Sequence, residues 1–258
     1  MQVTLHQCEA FDWLRNTHDG VVDLVITDPP YESLEKHRAK GTTTRLKQSK
    51  ASSNEWFPVI GNERLPELMR ELYRVLKKDR HCYVFCDQET LFHLKPAGEA
   101  AGFKFWKPIV WSKVHIGMGY HYRAAYEFIC FFEKGKRKLK DLGMSDVREH
   151  PRNMKKDAYP AEKPAPLLEE LIGQSANPGE LIIDPFFGGA SIVRAALAQR
   201  CNFDGCDLSS EAMARGLAAL ESLSIEDRSS MDACVWYADG RTLQSPYGGG
   251  LPLVSARA

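Results

Sequence analysis

The stretch 24-LVITDPPY-31 decides the fold of this chain, because an apolar, β-branched run leads directly into an acid, two prolines and a tyrosine. Two consecutive prolines remove two backbone donors and fix two φ angles. The backbone after Asp28 is therefore held stiffly, with its carbonyl groups pointing outward. A strand that only had to turn would need a glycine or an asparagine, so this rigidity predicts that Asp28 and its neighbours position something.

Length and composition indicate an ordinary globular protein. The chain has 258 residues, of which 43% are hydrophobic and 26% are charged, and its formal net charge is zero. A chain of this size can bury one large core, so we expect a single domain over 1–245, followed by a tail at 246–258. No apolar run approaches the roughly 18 residues that span a bilayer, and residues 1–10 lack a basic-then-apolar leader. We therefore expect a cytoplasmic protein without a membrane partner.

The seven cysteines predict neither disulfides nor a metal site. The sequence contains no C-x-x-C pair, and no histidine lies near a cysteine at zinc-finger spacing. We expect reduced thiols that pack in the core.

Positive charge is concentrated in two segments. Residues 36–50 contain six lysines or arginines and no acid, and residues 133–156 contain nine lysines or arginines against four acids. The remainder of the chain is correspondingly acidic. Such an asymmetry favours a polyanionic partner.

Strand-like and helix-like runs alternate along the chain. Short apolar or β-branched runs predict strands at 21–27, 82–86, 105–111, 126–132, 180–184 and 203–207. Apolar residues at helical spacing predict helices at 65–78, 190–199 and 209–223. Strands that alternate with helices indicate an α/β domain with a mostly parallel sheet.

A second unusual loop follows the strand in 180-ELIIDPFFGGAS-191. Two glycines after Asp184 let the backbone approach a ligand at a helix N-terminus. Asp207 ends the next predicted strand, 21 residues after Phe186, where a carboxylate can accept hydrogen bonds from both hydroxyls of a ribose. No phosphate-binding G-x-x-x-x-G-K-[ST] loop is present. The pattern therefore favours a nucleoside-containing cofactor other than ATP, with an apolar or sulfonium-bearing group beside Phe186.

The DPPY and DPFFGG loops, in this order, resemble the circularly permuted β group of S-adenosylmethionine-dependent DNA amino-methyltransferases, which modify adenine N6 or cytosine N4. Three further segments are similar to that family, and the resemblance spans about residues 2–223: 74-RVLKKDRHCYVFCD-87, 110-VWSKVHIGMGYHYRAAYEFICFFEKG-135 and 162-EKPAPLLEELIGQSANPGELIIDPFFGGAS-191. The resemblance implies a Rossmann-like class I methyltransferase fold, with a mostly parallel twisted sheet, one antiparallel strand and the cofactor half last in the chain.

The resemblance gives the DPPY residues chemical roles. An exocyclic amine of a base is a poor nucleophile because its lone pair is delocalised into the ring. The Asp28 carboxylate and the Pro29 carbonyl can each accept one N–H, which localises the lone pair toward the methyl donor. Pro30 keeps that carbonyl in place, and Tyr31 can stack on a base that has left the duplex.

The cofactor residues also follow from the resemblance. Asp184, Phe186 and Gly188 are expected at the methionine end and the sugar. Asp207 is expected at the ribose hydroxyls, and Lys163 near the methionine carboxylate. This chain departs from the family at Ala190, which replaces a second glycine and makes the loop less permissive.

A second departure lies before DPPY, where the family often carries Gly-Asp-Cys. This chain carries His6, Gln7 and Cys8 instead. Gln7 can still hydrogen-bond an adenine edge, so Gln7 and Cys8 stay candidate cofactor residues.

The DNA-facing residues are expected in two inserted basic loops, 32–60 and 133–160, and in the segment 119-GYHYRAAYE-127. The candidates are Arg45, Lys47, Lys50 and Arg123. Arg123 can equally pair with Glu127.

Four functions are compatible with these motifs. The leading prediction is methylation of adenine N6 in double-stranded DNA, because DPPY rather than SPPY favours adenine in the permuted group. The alternatives are cytosine N4 as the target, a catalytically idle DNA-binding relative, and a methyltransferase for RNA or a protein glutamine. The family often forms homodimers, so we expect one here, and the resemblance leaves open whether a cognate restriction enzyme exists.

Overall fold

The computed structural model describes residues 1–32, 59–117, 121–153, 159 and 162–222, and the backbone of 233–238 and 241–244. Within these ranges, the strands are β1 Gln2–Gln7, β2 Val22–Thr27, β3 Leu76–Cys86, β4 Lys104–Ser112, β5 Tyr126–Lys134, β6 Val147–Glu149, β7 Leu181–Asp184, β8 Asn202–Asp207, β9 Ala233–Ala238 and β10 Arg241–Gln244. The α-helices there are α1 Ala10–Asn16, α2 Leu65–Val75, α3 Leu91–Ala101, α4 Ala165–Ser175, α5 Ser191–Ala198 and α6 Ser210–Glu221.

The ten described strands form one sheet in the order β10-β9-β1-β8-β7-β2-β3-β5-β4-β6. Strand β5 runs antiparallel to β3 and β4, and β10 runs antiparallel to β9. All other neighbouring pairs are parallel. The prediction of an α/β fold with a mostly parallel sheet is confirmed. Strand β5 is the expected antiparallel strand, and β10 is a second one that the sequence analysis did not predict.

Both faces of the sheet are covered, because successive side chains of a strand point to opposite sides. In β2, Leu24 and Ile26 belong to a core that includes residues of α4, α5 and α6. Val25 belongs to a second core, which includes residues of α1, α2 and α3. Five cysteines are buried as free thiols, as expected: Cys82, Cys86, Cys130, Cys201 and Cys206.

The helix predicted at 65–78 ends earlier, at Val75, and β3 begins at the next residue. Lys77 and Arg80 lie in β3 and form ion pairs with the buried carboxylate of Asp23. Lys77 Nζ lies 2.8 Å from Asp23 Oδ2, and Arg80 Nη2 lies 2.9 Å from Asp23 Oδ1. These two ion pairs stabilise the extended conformation of residues 76–80. The helical spacing of apolar residues does not reveal them.

Strands β1, β2, β3, β7 and β8 end at the same edge of the sheet, here called the carboxyl edge. Because β5 is antiparallel, its first residues lie at this edge, whereas Lys134 pairs with Arg80 at the opposite edge. Arg80 and Cys86 are six positions apart along β3, a length of roughly 20 Å. Strands β4, β6 and β9 run in the same direction, so the carboxyl edge receives the ends of these strands as well as the start of β5.

The basic segment 133–160 stays a predicted DNA-facing segment, but its residues 133–140 lie at the edge opposite Asp28. Three cations there bond to the protein itself: Lys134 Nζ donates to Leu76 O at 2.6 Å, Arg137 Nη2 lies 3.0 Å from Glu180 Oε2, and Lys140 donates to Ala176 O. The chain returns to the carboxyl edge at β6, where His150 N donates to Ser112 O.

No helix within the described ranges has the length and apolar character that crossing a bilayer requires.

Candidate active site at the carboxyl edge

A cavity of about 400 Å³ opens at the carboxyl edge, beside the ends of β2, β7 and β8. Its walls bring together ten of the eleven residues that the sequence analysis assigned to catalysis or to the cofactor: Cys8, Asp28, Pro29, Pro30, Tyr31, Lys163, Asp184, Phe186, Gly188 and Asp207. Gln7 lies outside the wall, and its Nε2 donates to Leu208 O at 3.4 Å. The two unusual loops therefore face one space, although 156 residues separate Asp28 from Asp184 in the chain.

The DPPY turn is held at both ends. Thr27 ends β2, and Tyr31 forms a bridge with Ile60, whose backbone N–H donates to Pro30 O at 2.7 Å. Tyr31 is buried, and burial raises the pKa of its phenol well above the usual value. The turn is thus a fixed part of the cavity wall that carries a neutral aromatic ring.

The two oxygens of the Asp28 carboxylate have different surroundings. Lys163 Nζ donates to Oδ2, whereas Oδ1 is buried and accepts no hydrogen bond from the described residues. Burial raises the pKa of Asp28, and the Lys163 ammonium opposes that rise. A buried acceptor without a donor is rare in native proteins, so Oδ1 marks a position for an N–H from a ligand.

Lys163 lies beneath the DPPY acid. Its ammonium contacts Asp28 and also lies 3.2 Å from Glu127 Oε2, with Glu127 Oε1 only 2.5 Å from Lys113 Nζ. A role of Lys163 near a methionine carboxylate stays a prediction. Glu127 and Lys113 were not among the predicted site residues, although both lie in the quoted segment 110–135.

The loop after β7 is organised by Asp184. Its Oδ1 accepts a hydrogen bond from the Thr27 hydroxyl at 2.7 Å and another from the Phe186 N–H at 2.9 Å. Burial raises the pKa of Asp184 to about 7, although both hydrogen bonds act in the opposite direction. Asp184 thus ties the end of β7 to the end of β2 and shapes the loop that carries Phe186.

Two residues of this loop adopt left-handed backbone conformations. Gly188 has φ +47° and Ala190 has φ +61°. A Cβ at Gly189 would approach side-chain atoms of Tyr159 and Glu162 to 2.9 Å. The second glycine of DPFFGG therefore permits close packing of the loop, and Ala190 adopts a conformation that costs a non-glycine residue about 1 kcal/mol or more.

Asp207 at the end of β8 fixes the other side of the cavity. Its Oδ2 accepts the Gly188 N–H at 3.0 Å, and its Oδ1 accepts the Ser209 N–H at 2.8 Å. Burial raises the pKa of Asp207, while these two hydrogen bonds favour the charged form. Each oxygen keeps a second lone pair, so the carboxylate can accept further hydrogen bonds from a ligand.

The DNA-binding candidates are only partly described. Arg45, Lys47 and Lys50 lie outside the described residues. Arg123 is exposed, and its Nε donates to Gly117 O at 2.5 Å rather than to Glu127.

Replacing Asp184 with asparagine is expected to change how stability depends on pH. The folded state holds the Asp184 proton up to pH about 7, whereas the unfolded chain releases it near 3.8. The free energy of unfolding of the wild type therefore decreases as the pH rises between these values, and this decrease is at most about 4 kcal/mol. Asparagine cannot ionise, so the variant should lack this loss.

Urea unfolding from pH 4 to pH 8 measures this difference. Glu211→Gln, an exposed acid-to-amide change on α6, is the matched control. Parallel stability curves for wild type and Asp184→Asn would show that Asp184 ionises normally in the folded protein.

The family model described as DNA methylase matches residues 22–218. The DNA adenine methyltransferase YhdJ of Escherichia coli strain K12 is 25% identical over 258 residues, which cover 86% of this chain and 83% of that protein.

Two solved structures share the fold. The complex of M1.HpyAVI with SAM superposes with a TM-score of 0.64 at 21% identity and covers 86% of this chain and 100% of that one. The cytosine-N4-specific PvuII DNA methyltransferase superposes with a TM-score of 0.68 at 14% identity, over 88% of this chain and 89% of that one. The expected class I methyltransferase fold is thereby confirmed.

Proposed function

This chain belongs to the DNA methylase family, and on that basis we propose that it transfers a methyl group from S-adenosylmethionine to the N6 amine of adenine in double-stranded DNA. The observation that carries the proposal is the Asp28 carboxylate, which lines the cavity with one oxygen held by Lys163 and the other buried without a donor among the described residues. An aromatic amine supplies the missing N–H.

Asp28 and Pro29 act on the amine together. Asp28 Oδ1 accepts one amine hydrogen, and the carbonyl of Pro29, in the same rigid turn, accepts the other. The two acceptors draw the nitrogen toward a tetrahedral geometry in which its lone pair is localised. No general base is required for attack, because the proton leaves after the nitrogen has gained the methyl group.

The cavity residues fit S-adenosylmethionine, which supplies an electrophilic methyl group when it is bound. Asp207 retains lone pairs for two ribose hydroxyls, and Phe186 gives an apolar wall with a π-face for a sulfonium. Gly188 leaves its backbone open to the ligand. The cavity volume of about 400 Å³ lies within the range of cofactor sites. Gln7 does not line this space, so we leave it out of the proposed site.

The target base must leave the duplex to reach Asp28. Tyr31 follows the two prolines and lines the same cavity, so its ring is the stacking surface that we propose for the flipped adenine. Base stacking on an aromatic side chain contributes about 1–3 kcal/mol, which offsets part of the cost of unstacking.

The proposed DNA face includes the described residues of the connection between β4 and β5, 113–117 and 121–125, because both strands meet the carboxyl edge there. Val114, Ile116 and Tyr122 expose 55%, 56% and 107% of their surface. Val114 also has φ +67°, a strained conformation for a β-branched residue. Exposed apolar side chains beside a site for a flipped base suit a wedge against the opened duplex. Arg45, Lys47 and Lys50 remain proposed phosphate contacts.

Replacing Tyr122 with serine is expected to raise KM for DNA by about tenfold, because one base-sized apolar contact contributes about 1–3 kcal/mol. Affinity for S-adenosylmethionine should stay within twofold. Leu142→Ser, at another highly exposed apolar residue on the return from the opposite edge, is the matched control. Equal KM values for the two variants would remove the connection between β4 and β5 from the DNA face.

The proposed function is tested by incubating the protein with radiolabelled S-adenosylmethionine and mixed genomic DNA, followed by digestion to nucleosides and mass analysis. N6-methyladenine is the expected product. N4-methylcytosine as the product would agree with the family and the proposed mechanism, but it would show that the target base is cytosine and not adenine. Absence of label from DNA, with cofactor binding intact, would favour an idle relative or a substrate other than DNA. A homodimer stays a prediction, and the existence of a cognate restriction enzyme stays open.

A further inference from the structure

Four charged side chains form a continuous chain beneath the cavity: Asp28, Lys163, Glu127 and Lys113. They alternate in sign, and consecutive members contact each other. Asp28 Oδ2 meets Lys163 Nζ, which lies 3.2 Å from Glu127 Oε2, and Glu127 Oε1 lies 2.5 Å from Lys113 Nζ. Two acids and two bases make the chain neutral as a whole.

We propose that Lys163, held by Glu127, is a positioning residue for methyl transfer: it fixes one oxygen of Asp28 and keeps this carboxylate ionised, so that the other oxygen receives the amine. This inference rests on the proposed function and deepens it. It assigns to Lys163 a role on the substrate side of the cavity.

The surroundings of Lys163 support this role over cofactor binding. Its side chain is only 6% exposed. The ammonium lies over the rings of Phe85 and Trp111, at 5.2 and 5.9 Å from their centres, and two carboxylates face it. Two carboxylates and two ring faces of the protein thus surround the ammonium among the described residues.

Glu127 and Lys113 reach the site through strand pairing. Trp111 and Glu127 are directly opposite each other in the antiparallel ladder of β4 and β5. Lys113 follows at the start of the connection between β4 and β5, where its N–H donates to Ala125 O at 2.7 Å. The ladder thus fixes Glu127 beneath Lys163, and Lys113 balances the second negative charge.

The shifts in pKa agree with a chain of stabilised charges. Burial opposes the charged form of both Lys163 and Glu127, yet the pKa of Lys163 is raised by its two carboxylates and the pKa of Glu127 is lowered by its two ammonium groups. For Asp28 burial dominates and raises the pKa, Lys163 lowers it and Glu127 raises it. Lys163 and Glu127 therefore act on Asp28 in opposite directions.

Further titratable groups interact electrostatically with Asp28. They include Lys113, Tyr31, Cys86 and Asp184. Lys163 alone among the described residues donates a hydrogen bond to its carboxylate.

The test uses two substitutions with opposite expected effects on the pH profile. In Lys163→Met, Asp28 loses its neighbouring cation, so the acid limb of the plot of kcat against pH should move to higher pH. The value of kcat at neutral pH should fall by about 10- to 100-fold. In Glu127→Gln, Asp28 loses a repelling charge, so the acid limb should move to lower pH. General loosening of the site would lower kcat in both variants without shifting the limbs in opposite directions.

Calorimetry with S-adenosylmethionine separates this role from cofactor binding. The dissociation constant should change by less than threefold in Lys163→Met, and Lys95→Met, which breaks an exposed ion pair with Glu99, is the matched control. A tenfold weaker cofactor affinity with an unchanged acid limb would overturn the inference and make Lys163 a cofactor ligand.

A readout without turnover keeps the inference separate from the proposed function. Difference infrared spectroscopy follows the carboxyl stretch of protonated Asp28 during a pH titration, and Asp28→Ala identifies the band. The titration midpoint should rise in Lys163→Met and fall in Glu127→Gln, even if the wild type methylates some other amine. A midpoint that is the same in all three proteins would refute the role of Lys163.

Discussion

Replacing Asp28 with alanine is expected to lower kcat for DNA methylation by about 10³-fold, while the dissociation constant for S-adenosylmethionine changes by less than threefold. The variant loses the buried Oδ1 that is placed to accept an amine hydrogen. A single preorganised polar partner of a reacting group contributes about 10²- to 10³-fold, and the buried Lys163 loses its partner as well.

Single-turnover assays with saturating cofactor and DNA measure this effect without interference from product release. Asp87→Ala is the matched control, because Asp87 follows the neighbouring strand β3 at the same edge and its Oδ1 accepts the Thr90 N–H at 2.8 Å instead of lining the cavity. Turnover of Asp28→Ala within tenfold of the control would mean that the amine is held elsewhere.

Replacing Asp207 with alanine is expected to weaken binding of S-adenosylmethionine by about 10²-fold. Two hydrogen bonds from ribose hydroxyls to a carboxylate contribute about 1.5 kcal/mol each or more. The loss of the acceptor for the Gly188 N–H also loosens the loop that faces the ligand. At saturating cofactor, kcat should fall much less than in Asp28→Ala, because Asp207 does not touch the amine.

Isothermal titration calorimetry measures these affinities for S-adenosylmethionine, with Asp207→Asn as a second variant. Asparagine keeps one carbonyl oxygen, so its affinity should lie between those of the wild type and the alanine variant. Equal affinities for all three proteins would remove Asp207 from the cofactor site.

Local patterns in the sequence were sufficient to place the two loops of the cavity. DPPY and DPFFGG each follow an apolar strand, and parallel strands carry such loops to the same edge of a sheet. Ten of the eleven predicted catalytic and cofactor residues therefore line one cavity. The pattern could not reveal that β5 also starts at this edge, because that depends on a strand reversal and not on its own residues.

No local sequence pattern could predict that Lys163 pairs with Asp28. Lys163 and Asp28 are 135 positions apart, and only the packing of the folded chain brings them into contact. Glu127 carries no signal of its own, since one acid in an apolar strand resembles an ordinary surface position. Its burial became evident only from the register of β4 and β5.

One end of the described sheet, β10-β9-β1, was also missed. Residues 2–6 alternate between polar and apolar types over five positions only, and no strand was predicted there or at β9 and β10. Backbone pairing of β9 with β1 and β10 gives these short segments their extended form. Such partners are remote in sequence, so single-segment preferences cannot identify them.

The position of β1 between β8 and β9 has a consequence for protein synthesis. A ribosome adds about 5–20 residues per second, so β1 waits roughly 10–40 s for the neighbour at Asn202–Asp207 against which it pairs. Both of its edges stay open during that time, and open strand edges are sites of association with other chains. Protection of β1 from such association therefore depends on the synthesis of residues about 200 positions later in the chain.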